Sequence, residues 1–207
     1  MRDHLAAGIA IFNAGQYHPA HDAWEEQWLS LAKGTDDERL LHGLIQYTAA
    51  VYHLSRDNAE GATGLAESAR KYLEELDDRY RQVELGPIRS SLGAILEDPE
   101  GVEPGELARL RLSGRRLTPS DLEGNALGIA TRIIAEDVDG RVDERDIEDA
   151  IERASRGEEP YLTLLRSFVG RPDLRELLAD RLSAHLDRDR QNERTLEGLF
   201  EGSDQSS

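Results

Sequence analysis

Apolar residues recur at three- and four-residue steps along most of the chain, the spacing that gathers them on one side of an α-helix. Leu5, Ile9 and Phe12 line a short helix predicted over residues 3–14, and Gly15 is placed to end it. Pro19 suits the first turn of a second helix, whose apolar side is Ala20, Trp24, Trp28 and Leu31. The third segment, Glu38 to Arg56, has no Asp, Glu, Lys or Arg between Arg39 and Arg56, which predicts the central and most buried helix. Asn58 is positioned to cap a fourth, in which Ala62, Leu65, Ala69, Leu73, Leu76 and Tyr80 keep the period. Gly61 and Gly64 on it would let a neighbour pack close.

The periodicity fades from Gly86 to Gly105, where Pro87, Pro99, Gly101, Pro104 and Gly105 accumulate and a boundary near residues 97–105 is expected. Helices then resume. Thr118 and Pro119 open one with Leu122, Leu127, Ile129, Ile133 and Ile134; Asp143 caps another; Pro160 and Pro172 open two more. No strand or hairpin pattern competes, apart from a bend at Asp139-Gly140. Past Arg188 the sequence is polar, with Leu196, Leu199 and Phe200 its apolar handle, and fraying is expected. The expected fold is all-α: an N-terminal bundle of about four helices over 1–96, a linker and short helix over 97–117, a second helical region over 118–190 and a polar tail over 191–207.

Composition changes this picture mainly at the surface. The apolar fraction of 38 % is enough for a real core, yet 42 acidic against 25 basic residues give a formal charge of −17. Lys33 and Lys71 are the only lysines, and this scarcity beside abundant Asp and Glu resembles proteins of salt-accumulating archaea, so the charge reads as halophilic adaptation. Such a surface disfavours nucleic acid and anionic membranes at ordinary salt, and no Lys/Arg run with interleaved aromatics offsets it. The absence of cysteine excludes disulfides, thiolate metal sites and cysteine nucleophiles. The first apolar run is too short for a secretory or membrane segment, so a cytoplasmic protein is expected. Small-residue helix faces leave room for a second copy or another protein partner.

Candidate chemistry lies on two helical stripes. His21, Glu25 and Trp28 share one face of the second helix; His42, Gln46, Ala49 and His53 share one face of the third. Imidazoles and an amide in an apolar helix need partners, so the stripes are expected to meet. The meeting has several readings. His21, Glu25 and His53 would be two imidazoles and a carboxylate for a divalent metal, or an acid–base set with Glu25 as base and a histidine as acid. Trp24, Trp28, Gln46, Tyr52 and Asn58 would line a cleft for a small polar ligand. A closed polar network that only fixes helix register is the plainer alternative. Asp137, Asp139 and Asp143 around Gly140 resemble a calcium loop superficially and lack its ligand spacing.

The segment FN-G-Y…AH-x-x-x-E-x-x-W followed by GLIQ-x-x-A-x-x-YHL-x-x-x-N-x-x-GA resembles the family catalogued as domain of unknown function 309. The matching positions are Phe12, Asn13, Gly15, Tyr17, Ala20, His21, Glu25, Trp28, Gly43, Leu44, Ile45, Gln46, Tyr52, His53, Leu54, Asn58, Gly61 and Ala62. The resemblance covers about the first eighty residues and implies a small helical bundle, with no activity or cofactor attached. Asp22 stands where a glutamate is expected, Trp24 where an aliphatic residue is commoner, and Pro19 precedes the motif's alanine. The leading expectation is a non-catalytic interaction or scaffolding module. The alternative is a metal-dependent or acid–base, hydrolase-like enzyme with its site between the second and third helices.

Overall fold

The computed structural model describes residues 1–136, 138 and 142–203, with the side chains of residues 196–203 excepted. Asp137, Asp139 and Gly140, and the side chains of Leu196, Leu199 and Phe200, lie outside what it describes. Among the described residues the fold is all-α. Its helices are α1 (Arg2–Asn13), α2 (Tyr17–Leu29), α3 (Asp36–Leu54), α4 (Ala59–Leu73), α5 (Leu85–Glu97), α6 (Gly124–Glu136), α7 (Glu144–Ser155), α8 (Glu159–Gly170) and α9 (Arg175–Ser203). None of them is long and apolar enough to cross a membrane.

Local signals set the helix ends. Gly15 adopts φ +80°, which an L-residue rarely takes, and α1 stops there. Thr35 accepts from the Glu38 amide at 3.3 Å, and Asn58 accepts from the Gly61 amide at 2.9 Å, so both leave a free helix N–H satisfied. Asp143 accepts from the Arg145 amide at 2.8 Å and starts α7. The helix expected from Thr118 divides in two. Thr118 and Asp121 close a capping box around a 3-10 turn at Pro119–Asp121, and α6 starts only at Gly124, at φ +50°.

Three regions depart from the sequence pattern. A small hairpin joins β1 (Arg79–Tyr80) to β2 (Val83–Glu84) through Arg81 and Gln82, both at positive φ. Positive φ at both central residues is the geometry of tight hairpin turns, usually signalled by Asn or Gly, and neither is present here. Helix α5 occupies much of the stretch where periodicity was expected to fade. Leu85, Ile88, Leu92 and Ile95 keep helical spacing and are buried, with Pro87 in the first turn where its missing N–H costs nothing. Helix α9 continues to Ser203, well past Arg188. Its polar residues there have partners: Asp189 accepts from the Tyr161 hydroxyl at 2.6 Å, Arg190 pairs with Asp146 and Asp149 at 2.8 and 3.0 Å, and Glu193 pairs with Arg153 at 2.7 Å.

The buried apolar residues form one cluster from Leu5 to Leu186. Within it α1, which reads as a short amphipathic helix, is covered on nearly every side. α2 takes one of its faces and α6 another, so Ala7, Ile9, Ala10 and Ile11 are all sealed. The 97–117 segment is fastened across this core by several side chains. Buried Asn13 at the end of α1 donates to the carbonyls of Leu110 and Leu117 and accepts from the Leu110 amide, each at 2.9 Å. Tyr47 on α3 donates to the Ala108 carbonyl at 3.3 Å, and Gln16 donates to the Val169 carbonyl at 2.7 Å. The early part of the chain thus holds the later part by side-chain hydrogen bonds to its backbone as well as by apolar contact.

Asn13→Ala strands three backbone groups in the interior, each costing about 1–3 kcal/mol when left unpaired, with incomplete additivity. The expected outcome is a lower melting temperature together with faster amide exchange centred on residues 108–118, read by hydrogen-exchange mass spectrometry.

Candidate functional site

The two stripes meet at one end only. Near the end of α2 the Trp28 ring lies 4.7 Å, centroid to centroid, from His42 of α3, and His42 in turn stacks on Tyr72 of α4 at 3.9 Å. The hub beneath them is Glu38. Its carboxylate accepts from Trp28 Nε1 at 3.0 Å and from the Gly34 amide at 3.2 Å, and lies 3.3 Å from His42 Nδ1. Burial pushes this carboxyl up, but the bonds from Trp28, Gly34 and His42 outweigh it and hold the group below its ordinary value. Glu38 is 8 % exposed, and its three partners tie the end of α2 and the turn after it to the start of α3. The sequence reading missed it. The signal was Thr35-x-x-Glu38 at a helix start, normally a capping box whose glutamate folds back on the cap; here it turns to the indole instead.

At the other end of α3, His53 is committed too. Asn58 Oδ1 is held by the Gly61 amide, so the Asn58 Nδ2 that faces His53 Nδ1 at 2.8 Å must be the donor. That makes His53 Nδ1 an acceptor and places the ring's proton on Nε2. The ring lies directly over Gly61, where an added Cβ would come within 2.5 Å of Nδ1. His53, Asn58 and Gly61 are therefore one interlocked unit at the α3–α4 turn. Asn58, expected to line a cleft, is the cap of α4. Tyr52 sits beside this unit, its ring edge-on to His18 at 6.3 Å and facing the Arg56 guanidinium at 5.4 Å.

Two other cleft candidates also take different places. Trp24 is fully buried against Gly8, where any Cβ would collide with the indole. It is core, which explains an aromatic residue where an aliphatic one is commoner. Gln46 is half-buried and joins none of the hydrogen bonds of either cluster.

His21 and Glu25 remain together without His53. They lie on the outer side of α2 with Asp22, and one ligand atom from each of the three falls within 4.8 Å of the others. His21 Nδ1 is 3.0 Å from Asp22 Oδ1 and 3.9 Å from Glu25 Oε2. His18, one turn earlier, approaches the second Asp22 oxygen at 3.4 Å. The short Asp22 carboxylate thus bridges two imidazoles. Its hydrogen bond raises the His21 imidazole above its ordinary value against partial burial, and the charges of Asp22 and Glu25 add to the rise. The side chains of His21, Asp22 and Glu25 are 32, 37 and 45 % exposed, so the cluster faces water. The cluster is not sealed, and His53 of α3 is not among its three converging residues. Among the described residues, hollows beside Arg81 and beside Arg132 are lined by other residues.

These features define an all-helical protein whose motif residues divide between a folded-in polar framework and a water-facing histidine–carboxylate cluster. Residues 5–65 match the model of a family described as a domain of unknown function (DUF309). A relative, an uncharacterized protein of Aquifex aeolicus (strain VF5), is 28 % identical over 96 residues, which is 46 % of this chain. The match spans 28 % of that relative's length. Every position that carried the sequence resemblance falls inside the matched residues, which stop at 65, short of the eighty expected.

Gly61→Ala is expected to destabilise by about 1–3 kcal/mol through the collision with His53, and the double variant His53→Ala/Gly61→Ala should regain part of that loss in chemical denaturation. For Glu38 the folded-state carboxyl lies below its unfolded value. Its contribution is therefore present above the unfolded value and lost as pH falls through the lower, folded one. Glu38→Gln should flatten this acid limb of a stability-versus-pH curve, and Glu38→Ala should cost about 1–3 kcal/mol at neutral pH.

Proposed function

We propose that this protein is a helical binding module that takes up a divalent transition-metal ion on α2, using His21, Asp22 and Glu25, with His18 within reach as a further ligand. The observation that carries this is the convergence of three ligand atoms within 4.8 Å on a water-facing helix surface. Residues four apart on a helix face the same way, so His21 and Glu25 are set for one ion by backbone geometry alone. An imidazole beside carboxylates suits zinc, manganese, nickel or iron(II) better than magnesium or calcium, which favour oxygen-only sets. To bind, the ion displaces the proton that His21 shares with Asp22, and the two carboxylates compensate its charge.

The reading is binding, without catalysis. General acid–base work needs a substrate held against the acid and the base, and neither the hollow beside Arg81 nor the one beside Arg132 is lined by a residue of this cluster. His53, once paired with Glu25 in the sequence reading, is used by the α4 cap. We also read the acidic excess as an adaptation to concentrated salt in a salt-accumulating host, and a cytoplasmic setting accords with that reading. The ion would then stay bound in brine, because adjacent ligands bond to it directly and long-range attraction is screened out.

The test is calorimetric titration of chelator-stripped protein with zinc, in dilute buffer and again in concentrated potassium chloride. One equivalent is expected to bind, and at about a hundredfold excess over Kd to add about 2.7 kcal/mol of stability. His21→Ala and Glu25→Gln should each weaken binding at least tenfold with little change in the melting temperature of the metal-free protein. His53→Ala should bind like the parent. Loss of binding in His53→Ala, or none in the parent, would overturn the proposal.

A further inference from the structure

The fold brings arginines of the hairpin beside an arginine-rich loop on one side of this acidic molecule. Residues 109–116 hold four arginines and no acidic residue, in a chain whose formal charge is −17. That loop lies along the edge of the hairpin. Leu112 bridges to Val83, the Glu84 amide donates to the Arg111 carbonyl at 3.3 Å, and the Ser113 amide donates to the Gln82 carbonyl at 2.8 Å. Arg79, Arg81, Arg111, Arg115 and Arg116 are therefore neighbours on a surface that also meets the start of α1. A hollow of about 160 Å³ opens there, with Arg2 and Leu5 on one wall, Arg81 and Gln82 on another, and Leu112 and Ser113 on a third.

Carboxylates answer only part of this charge. Asp37 accepts from Arg81 Nε and Nη2 at 2.7 and 2.6 Å, Glu84 faces Arg79 at 3.7 Å, and Asp121 faces Arg115 at 3.0 Å. Arg111 donates to the Gly114 carbonyl at 3.1 Å. The exposed Arg2 and Arg116 guanidiniums bond to no described residue. Asp3 follows Arg2 in α1 but projects about 100° further round the helix. Asp37, which also accepts from the Tyr80 hydroxyl at 2.9 Å, holds the Arg81 guanidinium in a fixed place. One wall thus carries a guanidinium held in place by a carboxylate, with its Nη1 not used in that pair, and the other a guanidinium that bonds to no described residue.

We propose that this hollow is an oxyanion site for the phosphate group of a small phosphorylated molecule, with Arg2 as its principal ligand and Arg81 as its positioned second. A guanidinium offers paired N–H groups to phosphate oxygens, and the hollow is concave and of a size for one such group with a little beyond it. An extended polyanion is the weaker fit. The one aromatic ring at this face, Tyr80, has its hydroxyl bound to Asp37 and its ring beside the Arg81 guanidinium, at 5.9 Å, which leaves no free platform for a base. The site is independent of the α2 cluster and shares no residue with it.

The experiment is titration of the full chain with pyrophosphate at about 0.1 M salt, where attraction over about 10 Å still operates, with sodium chloride of matched ionic strength as control and a short RNA duplex as a parallel titrant. Saturable binding of one pyrophosphate is expected, weakened at least tenfold in Arg2→Ala, partly restored in Arg2→Lys, and with both variants melting like the parent. Any RNA bound should be displaced by pyrophosphate. Pyrophosphate binding that is absent, or unchanged in Arg2→Ala, would overturn the proposal, as would RNA that pyrophosphate fails to displace. The Arg2 variants should still bind zinc as the parent does.

Discussion

A polar atom taken out of water must be met by another, and the structure of the N-terminal helices follows from how α3 meets that demand at its two ends. Between Arg39 and Leu54 the helix carries no charged side chain and packs against α2 and α4. From its middle Tyr47 donates to the Ala108 carbonyl and the buried Thr48 hydroxyl bonds to no described residue, while two polar groupings are held near its ends. At one, the Glu38 carboxylate gathers the Trp28 indole, the Gly34 amide and His42. At the other, His53 accepts from the Asn58 amide that also caps α4. Each arrangement joins two neighbouring elements, so the helices cannot slide without leaving a donor or an acceptor unpaired.

This explains why residues at helical spacing that look alike in sequence do different things. His21 and His53 both stand in the motif, yet one is fixed by a cap and the other faces water with Asp22 and Glu25 around it. The framework claims Trp24, Trp28, Glu38, His42, His53, Asn58 and Gly61, and what it does not claim is the outer face of α2. A binding role for that face asks little of the fold. Its ligands are displayed by one rigid helix whose inner side, through Ala20, Ala23 and Trp24, is sealed in the core.

Much of the architecture was legible because it is local. Asn58, Asp143 and Gly15 mark helix ends through their own backbone chemistry, and the three- and four-residue spacing of Leu, Ile and Ala identified most helices. What the sequence concealed is either long-range or a local signal turned to another use. Nothing near Asn13 announces that it will bond to Leu110 and Leu117, about a hundred positions away. The Arg81–Gln82 turn takes positive φ without glycine or asparagine because Asp37 and the 109–116 loop hold it from outside. Of the candidate cluster, the pairing of His21 with Glu25 was legible from the helical repeat. The place of His53 was not, since it depends on which way the Asn58 amide points.

The division of the motif into framework and display is tested most directly by the imidazole nitrogens themselves, in ¹⁵N-detected spectra of the histidine side chains recorded with and without zinc. The account predicts that His53 carries its proton on Nε2 and is unmoved by the metal, while the His21 nitrogens shift on its addition. A His53 protonated on Nδ1, or one that shifts together with His21, would contradict it.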